Sequence, residues 1–166
     1  MRKGLMAGVI AACVVSGPAW AQTKAEPTPR NDRHAGYYYP KPSSEEVYVA
    51  RAQTMPQSNR SSRIGFVTAF TARQLERAVS PEFVMFAKGA VAQKLIIVSL
   101  DDHRVNSLYR ARALFAMMTA MSRVLPIFRE FGVEDSFTFF DLVKLLGFTQ
   151  ITISDGHDFA HQVFLE

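Results

Sequence analysis

The chain has 166 residues, a formal net charge of +4 and a single cysteine, Cys13. This length is sufficient for one compact domain with a real core. No disulfide can form within the chain, so we expect packing alone to stabilise the fold. The small net charge excludes a strongly basic nucleic-acid binder, and we predict no nucleic-acid partner.

The first 21 residues are typical of a secretory signal peptide. Arg2 and Lys3 form a basic start, residues 4–15 are almost continuously apolar, and the small-x-small site Ala19-Trp20-Ala21 precedes Gln22. The apolar run is too short to span a membrane. We therefore expect cleavage after Ala21 and a periplasmic mature protein. This location excludes functions that need cytosolic ATP, NADH or genomic DNA.

The signal segment also contains an alternative cleavage pattern. Ile10-Ala-Ala-Cys13 resembles a lipobox, in which cleavage leaves a lipid-anchored Cys13 at the N-terminus. The apolar run before Cys13 is short, however, and Pro18 and the Ala19-Trp-Ala21 site follow it. Cleavage after Ala21 is therefore the favoured prediction.

Residues 22–44 are predicted to form an extended arm, because four prolines stand among polar residues there. Three consecutive tyrosines interrupt this polar composition: Tyr37, Tyr38 and Tyr39. Their rings would lie on both sides of an extended chain, which a disordered tail does not need. We predict that they bind a partner protein, since tyrosine is favoured at interfaces, and packing on their own domain is the alternative.

Residues 45–166 are predicted to form a single α+β domain. Apolar and β-branched runs predict strands at 47–49, 63–70, 83–87, 95–98, 150–154 and 160–165, and residues 63–70 favour a central strand because they are apolar nearly throughout. Helical spacing or capping signals predict helices at 71–79, 106–122 and 137–146. This order favours an antiparallel sheet of five or six strands with two main helices packed on one face.

His157 and His161 are weak candidates for a metal site, because their spacing places both on one face of a helix or a strand. A zinc-protease helix would have a glutamate directly after the first histidine, and Asp158 stands there instead. Ordinary turn or surface histidines are the favoured interpretation. We predict no metal and no cofactor, and a periplasmic metal binder is kept as an alternative function.

Met117, Met118 and Met121 have the thioether ligands that Cu(I) prefers. They share a predicted helix with Leu114 and Phe115, where methionine normally fills gaps in a core. The core interpretation is favoured.

Two polar clusters could have a chemical role. Asp101-Asp102-His103 combines acid and imidazole groups suited to acid–base catalysis, although a turn before a helix requires the same residue types. An anion could also be bound by basic side chains, for which ion pairs on the surface are the favoured role; these are Arg104, Arg110, Arg112, Lys88 and Lys94. We predict no catalytic residues.

Seven blocks that sample most of the predicted mature chain resemble one family of small exported proteobacterial proteins, chiefly from alphaproteobacteria. The blocks are His34-Ala-Gly-Tyr-Tyr-Tyr-Pro40, Tyr48-Val-Ala-Arg51, Phe86-Ala-Lys-Gly89, Lys94-Leu-Ile-Ile97, Leu108-Tyr-Arg-Ala-Arg-Ala113, Gly132-Val-Glu-Asp135 and Thr152-Ile-Ser-Asp-Gly156. Members are often called molybdopterin-guanine dinucleotide biosynthesis protein A. That name implies a nucleotidyltransferase that joins GTP to molybdopterin and holds phosphates with a glycine-rich loop. The resemblance also suggests a partner of the respiratory complex I type.

The residues themselves favour a non-enzymatic function, because no two glycines of the predicted mature chain stand close enough to form a phosphate-binding loop. We predict an exported accessory protein that binds a larger, membrane-embedded complex, such as a subunit on the periplasmic face of a respiratory complex. A role in molybdenum-cofactor biosynthesis is the alternative. We predict no membrane-spanning segment in the mature chain.

The export prediction can be tested by N-terminal sequencing of the protein purified from cells, which should begin at Gln22. A sequence that starts at Met1 would contradict export. A blocked N-terminus with a lipid on Cys13 would identify a lipoprotein.

Overall fold

The computed structural model describes residues 32–101, 103–133 and 135–166. The predicted signal segment and residues 22–31 of the predicted arm lie outside them. Within the described part, five strands and four helices follow in the order β1 (Ser44–Tyr48), α1 (Arg60–Leu75), β2 (Phe83–Lys88), β3 (Lys94–Ser99), α2 (Leu108–Arg123), α3 (Pro126–Phe131), α4 (Phe139–Leu145), β4 (Gln150–Ser154) and β5 (Ala160–Leu165). The fold is α+β, as predicted.

The five strands form one mixed sheet in the order β1-β5-β4-β3-β2. The pairs β2–β3 and β4–β5 are antiparallel, whereas β1–β5 and β3–β4 are parallel. The prediction of a purely antiparallel sheet is therefore wrong. The chain from β3 to β4 passes through α2, α3 and α4, and such a crossover lets β4 run parallel to β3.

Both faces of the sheet are covered at its centre. In β3, Leu95 and Ile97 point to the helices, whereas Ile96 points to the opposite face, and each of the three is at most 1% exposed. A strand that is buried on both faces has a continuous apolar run, as residues 95–98 do. We call the face without helices the second face.

The helices pack on the first face around a cluster of phenylalanine rings. Phe66 and Phe70 from α1 and Phe115 from α2 meet Phe139 at the start of α4, with ring centroids 6.3 to 6.5 Å apart. Large aromatic side chains contribute most of the apolar area in such a core. None of the described helices is both long and apolar enough to cross a membrane.

Helix α1 replaces the strand predicted at 63–70. It begins at the N-cap Asn59, whose side chain accepts a hydrogen bond from Ser62 N at 3.0 Å while Ser62 Oγ accepts one from Asn59 N at 2.9 Å. Its buried positions, 63, 66, 70 and 74, have helical spacing. The exposed side chains Ile64 and Ala69 are uncharged as well. The sequence of this stretch therefore lacks the contrast between an apolar and a charged side that normally indicates a helix.

The start of α1 is joined to the end of α4 by a buried arginine. Arg63 is 6% exposed, and its guanidinium donates to Val91 O at 2.8 and 3.0 Å and to Leu146 O at 3.2 Å. Gly147 adopts a left-handed φ of +81°, and a Cβ there would lie 2.6 Å from Arg63 Nη1. The glycine therefore both ends α4 and leaves room for the arginine.

Asp141 joins β1 and the following loop to α4. Its fully buried carboxylate accepts hydrogen bonds from Arg51 N at 2.8 Å, Arg51 Nη2 at 2.7 Å and Thr138 N at 2.9 Å. Tyr48 Oη lies 3.3 Å away. Burial opposes ionisation, but the hydrogen bonds from Thr138 and Arg51 outweigh it and hold the pKa of Asp141 below its ordinary value.

Asp141→Asn should lower the free energy of unfolding by about 2–3 kcal/mol in urea titrations at pH 7, because it removes a buried, multiply bonded charge. The lowered pKa means that the contribution is complete above the unfolded value of about 3.9 and is lost as the pH falls through the lower folded value. The difference between wild type and variant should therefore shrink below about pH 4.

Asp158→Asn is the matched control, since Asp158 is exposed in the turn between β4 and β5. It should change the free energy by no more than about 0.5 kcal/mol. Equal losses from the two substitutions would contradict the role assigned to Asp141.

Candidate interaction surface

The three predicted partner-binding tyrosines lie on the second face, in a compact turn of residues 32–39. His34 O accepts hydrogen bonds from Tyr37 N at 3.0 Å and Tyr38 N at 3.3 Å. Gly36 N donates to Tyr39 O at 2.7 Å, and Gly36 has a φ of +82° that favours glycine. This part of the predicted extended arm is therefore folded onto the sheet.

The carboxylate of Asp32 attaches the turn to the second face. It accepts hydrogen bonds from the Tyr39 hydroxyl, from Gln150 Nε2 at 2.7 Å and from Gln162 Nε2 at 2.9 Å, and it lies 3.3 Å from Lys94 Nζ. Its side chain is only 7% exposed. The two glutamines stand on β4 and β5, so one carboxylate bridges the turn and three strands.

The protonation states in this cluster follow from its geometry. Burial raises the pKa of Asp32, but the hydrogen bonds from Tyr39, the His34 amide and Gln150 outweigh burial, so the pKa is lowered overall. Burial and the hydrogen bond to Asp32 raise the pKa of Tyr39. Asp32 is therefore a stable anion and Tyr39 a stable hydrogen-bond donor at neutral pH.

The three tyrosines differ strongly in exposure. Tyr39 is 3% exposed and packs with Ile96 beneath the turn, whereas Tyr37 is 78% exposed. Tyr38 lies between them, stacked on Phe86 with ring centroids 5.2 Å apart. Tyr39 and Tyr38 thus pack on their own domain, and Tyr37 faces solvent.

Tyr37 packs against the ring of Tyr38, which in turn contacts Phe86 and Lys88. Its ring meets the edge of Tyr38 at 4.5 Å between centroids, and Lys88 Nζ lies 4.5 Å from the centre of the Tyr38 ring. We call Tyr37, Tyr38, Phe86 and Lys88 the tyrosine platform. It is a partly exposed aromatic surface with a cation over its rings, and aromatic residues are enriched at protein interfaces.

The two histidines proposed as metal candidates have separate environments. His157 is exposed, and its backbone N donates to Asp155 Oδ1 at 2.8 Å in the turn before β5. His161 is 1% exposed in β5. Among residues 32–101, 103–133 and 135–166, no group of three or more His, Cys, Asp or Glu side chains is arranged to hold a metal ion.

His161 joins β5 to the edge strand β1. Its Nδ1 lies 2.9 Å from Ser44 Oγ and its Nε2 lies 3.3 Å from Glu46 Oε1. Arg112 Nη2 donates to Glu46 Oε2 at 2.8 Å. Serine, histidine and carboxylate thus lie close together, but the buried ring is packed between two strands, and its hydrogen bond through Nδ1 joins β5 to β1.

The other candidates are dispersed over the molecule. Arg104 pairs with Glu82 at 2.8 Å, and Asp101 accepts a hydrogen bond from His103 N at 3.0 Å, as a turn requires; Asp102 lies outside the described residues. Arg110 donates to His103 O. Met118 is fully buried in the first-face core, and Met117 and Met121 pack against that core. Of the predicted anion-binding set, Lys88 and Lys94 are paired in the sheet, and Arg104 and Arg110 line one shallow pocket beside α2.

A second apolar surface lies on the helical side. A groove between α1 and α3 has a volume of about 510 Å³, and its walls include Phe66, Ala69 and Leu125. Phe131 stands at this groove and is 45% exposed.

Sequence reasoning missed Asp32, Gln150 and Gln162. A signal for Gln150 was present, because polar residues recur at every second position of the otherwise apolar strand β4. The alternation in β4 indicates polar groups to be satisfied on one face of the sheet, whereas β5 has no such period, so Gln162 had no sequence signal.

No family model, curated protein or solved structure matches this chain.

Tyr39→Phe should lower the free energy of unfolding by about 1–2 kcal/mol, because it removes one donor from a buried carboxylate. Tyr37→Ser should change it by no more than about 0.5 kcal/mol, since Tyr37 is mostly exposed. Thermal and urea unfolding of both variants would measure this. A larger loss for Tyr37→Ser than for Tyr39→Phe would contradict the described packing.

Proposed function

We propose that this protein is a non-enzymatic exported accessory protein that docks on a larger protein complex through the tyrosine platform. The observation that supports this function is the position of Tyr37, a large aromatic side chain that is 78% exposed on a well-anchored turn. Aromatic side chains of this kind contribute much of the binding energy when a partner buries them.

The anchoring of the turn favours binding. Ordering a backbone residue costs about 1–2 kcal/mol, and a flexible arm would incur this cost on association. Here the contacts of Asp32 and Tyr39 order the turn before any partner arrives. Tyr37 is therefore presented in a fixed position, which lowers the cost of binding.

The partner that fits the predicted export is a membrane complex that exposes a protein surface to the periplasm. A respiratory complex is the specific partner that the family resemblance suggests, and we include it in the proposal.

The proposal is tested by tagging the protein, solubilising membranes with a mild detergent and identifying the proteins that co-purify. Tyr37→Ser should remove the specific partner, with a loss of about 2 kcal/mol or more in binding free energy. The fold should be unaffected, because little of the Tyr37 side chain is buried.

Tyr109→Ser is the matched control, since Tyr109 lies on α2 and is 84% exposed. It should leave co-purification unchanged. Retention of every partner by the Tyr37→Ser variant, or equal loss with the Tyr109→Ser variant, would overturn docking through the platform.

A further inference from the structure

We infer that a cluster of basic side chains beside the tyrosine platform binds an acidic segment of the partner protein. This inference rests on the proposed function, because it specifies the chemistry of the surface that the platform meets. The cluster consists of Arg33, His34, Lys88 and Lys94.

The two lysines stand directly opposite each other. Lys88 on β2 and Lys94 on β3 are partners in the antiparallel register, and both side chains lie on the second face. Like charges in directly opposed positions destabilise a sheet. Here one carboxylate, Asp32, reaches Lys94 at 3.3 Å, and it is also hydrogen-bonded to Tyr39 and two glutamines.

The positive charge extends from the lysines to the turn. Arg33 is exposed, and His34 lies beside Tyr38 with ring centroids 5.9 Å apart. Burial lowers the pKa of His34; the Asp32 carboxylate opposes this effect, but Lys94, Lys88 and Arg33 add to the lowering. The imidazole is therefore neutral at pH 7. The charged groups near it are three cations, Arg33, Lys88 and Lys94, and one carboxylate, Asp32.

This arrangement suits carboxylates beside apolar groups. Lys88 Nζ lies 4.5 Å from the Tyr38 ring, so a chain that covers the platform also meets the cations. Recognition of anionic membranes generally requires four to eight Lys or Arg residues, and this cluster has three, since His34 is neutral. An acidic peptide segment with apolar or aromatic side chains matches both the charge and the rings.

The test uses poly-L-glutamate as the probe and the purified protein at low and high salt. The protein should bind it at low salt and lose affinity as salt screens the charges. Lys88→Glu should weaken binding roughly tenfold relative to wild type, since a rim charge of the wrong sign repels the probe. The fold should persist, because this substitution replaces a like-charged pair with an opposite-charged one.

Arg129→Glu is the control, because it makes the same change in net charge at an exposed site on α3. Equal weakening by both substitutions, or binding to anionic phosphatidylglycerol vesicles without binding to poly-L-glutamate, would overturn the inference.

The co-purification assay separates this inference from the proposed function. Loss of the partner in both the Tyr37→Ser and Lys88→Glu variants supports both. If Tyr37→Ser removes the partner but Lys88→Glu does not, the acidic segment is excluded and docking through the platform stands. If neither removes it, both are overturned.

Discussion

The carboxylate of Asp32 is the contact on which the second face of the sheet depends. The helices cover one face, and on the other face β4 and β5 present Gln150, Thr152 and Gln162 beside the apolar Ile96. Buried amide groups need hydrogen-bond partners, and an apolar cover alone would leave them unsatisfied. Asp32 supplies the acceptor, and the turn that contains it brings Tyr39 over the apolar part. A short segment thus closes a face that a second helical layer would cover in a larger protein.

The same turn stabilises the sheet and carries the surface for which we propose a binding function. Its buried side holds the sheet, and its exposed side holds Tyr37 above Tyr38 and Phe86. The opposed lysines next to it are unfavourable for the sheet itself, and local arrangements that work against stability are expected where a protein binds something else. The second face thus has one buried carboxylate, Asp32, next to a larger number of cations.

Much of the fold could be predicted from local patterns, and the failures have physical causes. The hairpin of β2 and β3, helix α2 and the last two strands follow from runs or periods confined to one segment. Residues 63–70 of helix α1 have the composition of a strand, because the exposed side chains in this stretch are as uncharged as the buried apolar ones, whereas the helix predicted from residue 71 overlaps the end of α1. Parallel pairing was missed because it depends on crossovers between distant segments. The tyrosines were identified, but their division into buried Tyr39 and exposed Tyr37 depends on Asp32 and the glutamines, which are more than a hundred positions apart.

The pairing of β1 with β5 has a consequence for the time at which the protein can fold. Ser44 and His161, which lie 117 positions apart, are direct neighbours in the sheet, so the first described strand finds its only sheet partner in the last. The turn on the second face likewise depends on a distant residue, because the Asp32 carboxylate accepts a hydrogen bond from Gln162 in β5. Contacts between such distant positions form slowly, since a long loop must close first. Under the export that we propose, neither β1 nor the turn could complete its sheet contacts before β5 had also crossed the membrane.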